Sequence, residues 1–147
     1  MNILSIAILL FLVLETLNVI MLYFTPGTKK GNGLGVFNAY EKSKKDPEVH
    51  ALVKYLINWV AGTKLIFIAL LIVIILTAND NTIFFSVIAL ILSILTFYWR
   101  LFPAIRNMDK KNEITPIGYS KTLGMMILIF IIVFASALIF FYIKNLN

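Results

Sequence analysis

The chain contains no cysteine, a single histidine and few charges for its size. Without cysteine there are no disulfides, no thiolate metal site, no redox CxxC pair and no cysteine nucleophile. With His50 alone, a polyhistidine metal or haem site within one chain is excluded. Only 14% of the 147 residues are charged and 61% are hydrophobic, against about a quarter charged and about half apolar in soluble domains. The mean hydropathy is +0.94. A water-soluble core of this length could not hide so much Ile, Leu and Phe, so a bilayer must replace part of it. The formal charge of +6 then reflects topology and anionic lipid rather than nucleic acid.

What is present is four apolar runs separated by polar breaks. The reading is an all-α, four-helix up-down transmembrane bundle forming one domain over residues 1–147, with helices at about 3–24, 46–77, 82–102 and 117–143. The first run carries Glu15, Thr16 and Asn18 but no Lys or Arg, and it ends at Thr25-Pro26-Gly27. It lacks the basic n-region and small-residue cleavage site of a secretory signal, so a retained span is expected. The second run is the expected centre of the fold, with the other three arranged around it. Asp46 suits an N-cap, Pro47 the first helical position, and Glu48 the positive helix end. A continuous helix over 46–77 would be about 48 Å long, longer than a hydrocarbon core of about 30 Å. Its first turns, with His50, Lys54, Tyr55 and Trp59, should therefore lie in the headgroups or project beyond them.

Ala78-Asn79-Asp80-Asn81 is short enough to join only antiparallel neighbours, and Asp80 reads as a turn residue. The third helix is expected to stop at Phe102, before Pro103. Its Ser86, Ala89, Ser93 and Thr96 share one face, the kind of small surface that packs on another helix in lipid. In the fourth, Thr115-Pro116 reads as cap and first position, and Ser120-xxx-Gly124 as a small-xxx-small packing motif.

The loop 25–45 is glycine-rich and basic. Gly31-x-Gly33-x-Gly35 after Lys29-Lys30 is not a nucleotide motif, because it lacks the strand-loop-helix context of one. It reads as a flexible hinge above an anionic leaflet. A short interfacial helix is expected near Gly35 to Lys44, with Val36, Phe37 and Tyr40 at headgroup level. Of the 13 Lys and Arg, all but Lys64 and Lys144 flank this loop or the loop 104–116. Positive loops stay in the cytoplasm. Both termini are therefore expected outside an inner, plasma-type membrane, with both longer loops cytoplasmic. Lys29, Lys30, Lys42, Lys44, Lys45, Lys54, Trp59 and Arg100 are the candidate lipid or anion contacts.

Between Tyr55 and Thr77 the only charge is Lys64, and a lone ammonium in hydrocarbon needs a partner. Glu15 lies about nine residues inside Phe24, and Lys64 about nine inside Tyr55, so both are about 14 Å deep. An ion pair is expected, with Asn18 and Asn58 as polar neighbours. One glutamate in the first of four helices resembles the small multidrug transporters. That likeness extends to count and position only, and no residue role is carried over, because Lys64 would neutralise the glutamate such a mechanism relies on.

No nucleophile-base pair or carboxylate dyad is spaced for intramembrane catalysis, and no catalytic residue, metal or cofactor is assigned. The leading functional reading is a non-enzymatic accessory or structural membrane subunit, whose partners are membrane lipids and a homo-oligomer or larger membrane complex. A small oligomeric transporter or channel built on Glu15 and Lys64 is the alternative. A lipid-processing enzyme is third, and would need Asp46, Glu48, His50 and Asp109 to converge at the cytoplasmic face.

Overall fold

A computed structural model describes residues 2–146. Helix is the only regular secondary structure among the described residues, without strands, and four helices are long and apolar enough to cross a membrane. These are α1 (Ile3–Phe24), α3 (Pro47–Thr77), α4 (Asp80–Lys110) and α5 (Tyr119–Leu146); a short α2 (Asn38–Ser43) follows a 3-10 turn at Leu34–Val36.

The helix ends follow from side chains that satisfy their unpaired N–H groups. Asn2 accepts from Ser5 N at 2.9 Å and starts α1. Asp46 accepts from the N–H groups of Glu48 and Val49, with Pro47 in the first turn of α3. Asn79 accepts from Thr82 N at 2.9 Å and starts α4. Asp80 is thus not a turn residue. It stands in the first turn of α4, where the helix dipole favours a carboxylate, and accepts from Asn2 Nδ2 at 2.7 Å.

Two other expected boundaries are wrong. Helix α4 does not stop before Pro103 but continues to Lys110. Proline removes one backbone hydrogen bond, and the extra turns are held by burial of Ile105 and Asp109 beyond it. Just beyond the helix end, Asn112 takes a left-handed conformation (φ 57°) of the kind that terminates helices. Helix α5 does not begin at Thr115-Pro116, whose peptide bond is cis and lies outside the helix. Its cap is Asp109, at the end of α4. One carboxylate oxygen accepts from Gly118 N at 2.8 Å, the other from Ser120 N at 3.0 Å and Ser120 Oγ at 2.6 Å.

The centre of the bundle is α1, not α3. It packs most extensively on α3, then on α5 and α4. Its Leu4, Ile8, Phe11 and Leu12 are buried. Phe11 meets Phe67, Phe130 and Phe134 edge-on, with ring centroids 6.1, 5.3 and 5.5 Å apart. Helix α4 pairs chiefly with α5, and the order of contacts is opposite along the two: Phe84 meets Phe141, while Tyr98 meets Gly124. Gly124 lies against α4. A Cβ there would lie 2.8 Å from the Phe102 ring, and its carbonyl accepts from Tyr98 OH at 2.6 Å. Ser120 serves the helix cap instead.

The small face of α4 makes none of the helix's buried contacts inside the chain. Ile83, Val87 and Leu90 make the buried contacts, whereas Ala89, Ser93 and Thr96 are exposed and Ser86 is half-buried. Hydroxyls need no second helix, because each can bond backward along its own: Ser86 Oγ to Thr82 O at 2.7 Å and Thr96 Oγ1 to Ser93 O at 2.6 Å.

Asp109→Ala should cost about 2 kcal/mol, because two N–H groups and a hydroxyl lose their acceptor together. Thermal unfolding in detergent and hydrogen exchange over Tyr119 to Leu123 measure it. An unchanged midpoint with intact protection would mean that α5 is held by something other than this cap.

Candidate functional site: an intramembrane polar triad between two clefts

The first loop is compact rather than hinged. Leu34 N donates to Pro26 O at 2.8 Å and Gly35 N to Thr28 O at 3.0 Å, while Gly33 N bonds Lys30 O at 3.1 Å. These N–H groups are turned inward and cannot cradle an anion. Glycine is required at Gly33 and Gly35 by close backbone approach: a Cβ would sit 2.2 Å from Thr28 O and 2.0 Å from Gly27 O, respectively.

The same loop docks on the loop after α4. Phe37 and Ile114 form an antiparallel bridge. Thr115 N donates to Val36 O at 2.8 Å, Asn38 N to Glu113 O at 2.9 Å, and Tyr119 OH to Gly31 O at 2.8 Å. The expected placement of Val36, Phe37 and Tyr40 among headgroups is therefore overturned. Val36 and Tyr40 are buried, and Phe37 is half-buried with its ring 6.5 Å from that of Tyr119. Val36, Ile105, Ile114, Tyr119 and Leu123 form a second apolar core at this end.

The cations of this layer face away from it. Lys29, Lys30, Lys42, Lys44, Lys45, Lys54 and Arg100 are all exposed. Lys44 alone of these forms an ion pair among the described residues, with Glu41 at 2.8 Å, and that hydrogen bond holds its ammonium above the ordinary lysine value. Arg100 lies over Trp99 at 5.6 Å, and Trp59 is exposed beside Tyr55. His50 is not free in solvent. Ser43 Oγ donates its one hydrogen to Tyr40 O at 2.7 Å, so the 3.0 Å contact with His50 Nδ1 makes that nitrogen the donor.

Deeper in the bundle, Lys64 on α3 donates to Glu15 Oε2 at 2.5 Å and to Asn18 Oδ1 at 2.8 Å. Equal depth on neighbouring helices brings the charges together. Asn18, about one turn from Glu15, reaches the same ammonium. Asn58 is not part of the group: it is exposed and lies about 240° round the helix from Lys64. The ion-pair side chains are only 27% (Lys64) and 19% (Glu15) exposed.

The triad borders two clefts. Glu15 lines one of about 430 Å³, with Phe11, Ser93, Thr96, Arg100 and Phe130. Lys64 and Asn18 line another of about 480 Å³, with Leu56, Val60, Phe97, Leu101 and Tyr119. Phe97, Leu101 and Ile127 border both. The role of α4 and α5 as cleft walls gave no signal in the sequence, because these residues are ordinary apolar helix positions. The Asp109 cap was also missed, since its targets lie on another helix.

The acidic and histidine residues of the loop side do not converge. Asp46 caps α3, His50 bonds Ser43 and Asp109 caps α5. Among the described residues, no group of three His, Cys, Asp or Glu could hold a metal ion. No protein family, curated protein or solved structure matches the chain.

Glu15→Gln and Lys64→Met should each destabilise the bundle by about 3–5 kcal/mol, as when one partner of a buried ion pair is removed. The double variant should recover much of that loss. The measurement is thermal stability in one detergent for all four proteins of the cycle. Strictly additive losses would show that the two charges do not act on each other.

Proposed function

We propose that the protein is a four-helix, up-down membrane bundle acting as a non-enzymatic accessory subunit, with a basic layer that contacts anionic lipid or a partner. The observation that carries this reading is the docking of two cation-rich loops into one layer, with Lys29, Lys30, Lys42 and Lys45 on its exposed surface. Both loops meet at one end of the bundle, while Asn2 and Asp80 meet at the other. The positive-inside rule then assigns the loop end to the cytoplasm and both termini to the outside. The exposed small face of α4 supplies a surface for a second copy or a larger complex.

A second reading, a small oligomeric transporter or channel, is favoured by one specific feature: Glu15 borders one cleft and Lys64 the other. An ion pair between two cavities can open during a cycle, while one between packed walls is a latch. The lipid-processing alternative loses its support with the dispersal of Asp46, His50 and Asp109 into separate structural roles.

Replacing Lys29, Lys30, Lys42 and Lys45 by Gln should lower preference for anionic over zwitterionic lipid by at least about tenfold, since each surface lysine contributes about 1 kcal/mol. Native mass spectrometry of lipids retained from mixed nanodiscs reads the ratio, and an unchanged ratio removes anionic lipid as the contact. Because the chain has no cysteine, Asp80→Cys gives a clean test of orientation. It should react with an impermeant maleimide added to intact cells; labelling only after lysis would reverse the topology.

A further inference from the structure

The cleft bordered by Lys64 and Asn18 has a composition that specifies its occupant. Its volume of about 480 Å³ lies within the range of small-ligand sites, roughly 300–1,000 Å³. Its walls are α3 at Val53, Leu56 and Val60, α4 at Phe97 and Leu101, and α5 at Leu123 and Ile127, with Leu34 and Phe37 at the loop end. Its mouth lies between α3 and α4, which touch each other least among the packed helix pairs. The side chains at that mouth are apolar and exposed: Leu56 at 43%, Val60 at 50% and Leu101 at 58%. In a bilayer such a mouth faces acyl chains rather than water.

At the loop end the polar lining residues are Asn32 and Tyr119, whose hydroxyl is spent on Gly31 O; at the inner end they are Lys64 and Asn18. Lys64 carries three N–H donors and uses two, on Glu15 and Asn18. Asn18 accepts through Oδ1, and among the described residues its amide N–H groups donate to no side chain or backbone atom. Donors bordering a hydrocarbon-facing cleft are costly without an acceptor. The charge is already balanced, because Glu15 neutralises Lys64. A carboxylate or phosphate entering here would set two anions against one cation. An uncharged oxygen acceptor meets the donors without that penalty.

We propose that this cleft is a lateral binding site for an uncharged single-chain amphiphile, with a hydroxyl or ester oxygen on Lys64 and Asn18 and the chain along Val60 and Leu101. The site rests on the transmembrane reading of the four helices, but not on the role of the basic layer. It gives the polar triad a ligand-holding function besides its structural one.

The test uses a monoacylglycerol bearing a diazirine in its chain, with the matching diazirine fatty acid in parallel. Both are photolysed with the full chain in phosphatidylcholine nanodiscs, and adducts are mapped by mass spectrometry. Monoacylglycerol adducts should concentrate on Leu56 to Lys64 and Phe97 to Leu101, at least fivefold above the outer faces of α4 and α5. The fatty acid should show no such concentration. Leu56→Trp and Leu101→Trp each narrow the mouth from an exposed position, and either should reduce the focused labelling at least fivefold. Asn18→Leu should reduce it without closing the mouth. Even labelling of all lipid-facing surfaces, equal focusing by the fatty acid, or focusing that survives both tryptophan variants would overturn the site. Circular dichroism and nanodisc incorporation of each protein separate loss of the site from loss of the membrane fold.

Discussion

A polar group in hydrocarbon must find its partner within the protein, and that constraint governs this fold. Lys64 is the only charge in the lipid-facing stretch of α3, and it is neutralised by one residue on α1. The Glu15 bond and the Asn18 bond to the same ammonium fix both the depth and the rotation of α1 against α3. A one-residue slip along either helix would turn a side chain by about 100° and break the group. The same rule acts on the smaller polar residues. Thr16, Thr63 and Thr77 each bond backward to a carbonyl of their own helix at 2.8, 2.9 and 2.8 Å, so they make no demand on a neighbour.

That difference explains which features were legible from the sequence. Charges with no local partner point across the bundle, and the depth of each can be counted from its helix end. The Glu15–Lys64 pair was visible for that reason. Hydroxyls satisfied by their own backbone carry no such information, so a face of Ser, Ala and Thr does not say whether its partner lies in the same chain, where Ile83, Val87 and Leu90 make the buried contacts. The start of α3 was readable because its cap is local, and the start of α1 has a local cap of the same kind. Asn2 acts on Ser5, and Asp46 on Glu48 and Val49.

The loop side was read poorly, and the reason is again physical. The Asp109 cap acts across nine or more residues onto another helix, and nothing at Asp109 itself distinguishes it from a solvated loop acid. Pro103 looked like a terminator because proline removes a local hydrogen bond, whereas the docking of Ile105 and Asp109 that outweighs it is tertiary. Val36, Phe37 and Tyr40 have the spacing of an interfacial helix. The alternative cover for Val36 and Phe37 comes from Ile114 and Tyr119, far away in sequence, while Tyr40 joins the main core of the long helices.

The middle of the bundle and its loop end are filled differently, and the cleft beside Lys64 lies toward the loop end. Around α1 the phenylalanines at 11, 67, 130 and 134 interlock, which leaves little freedom to separate the helix pairs there. At the loop end the space is shared with chain from outside the long helices. Val36 and Ile114 are buried there between the ends of α4 and α5 and the first loop. They are pinned by the Phe37–Ile114 bridge and the Tyr119–Gly31 bond. Leu34 and Phe37 of this inserted layer line the same cleft as Val53 of α3 and Ile105 of α4. Closing it would bury the remaining donors of Lys64 and Asn18 against hydrocarbon. The loop layer and the triad therefore border the cleft from opposite ends, one with apolar side chains and the other with N–H donors.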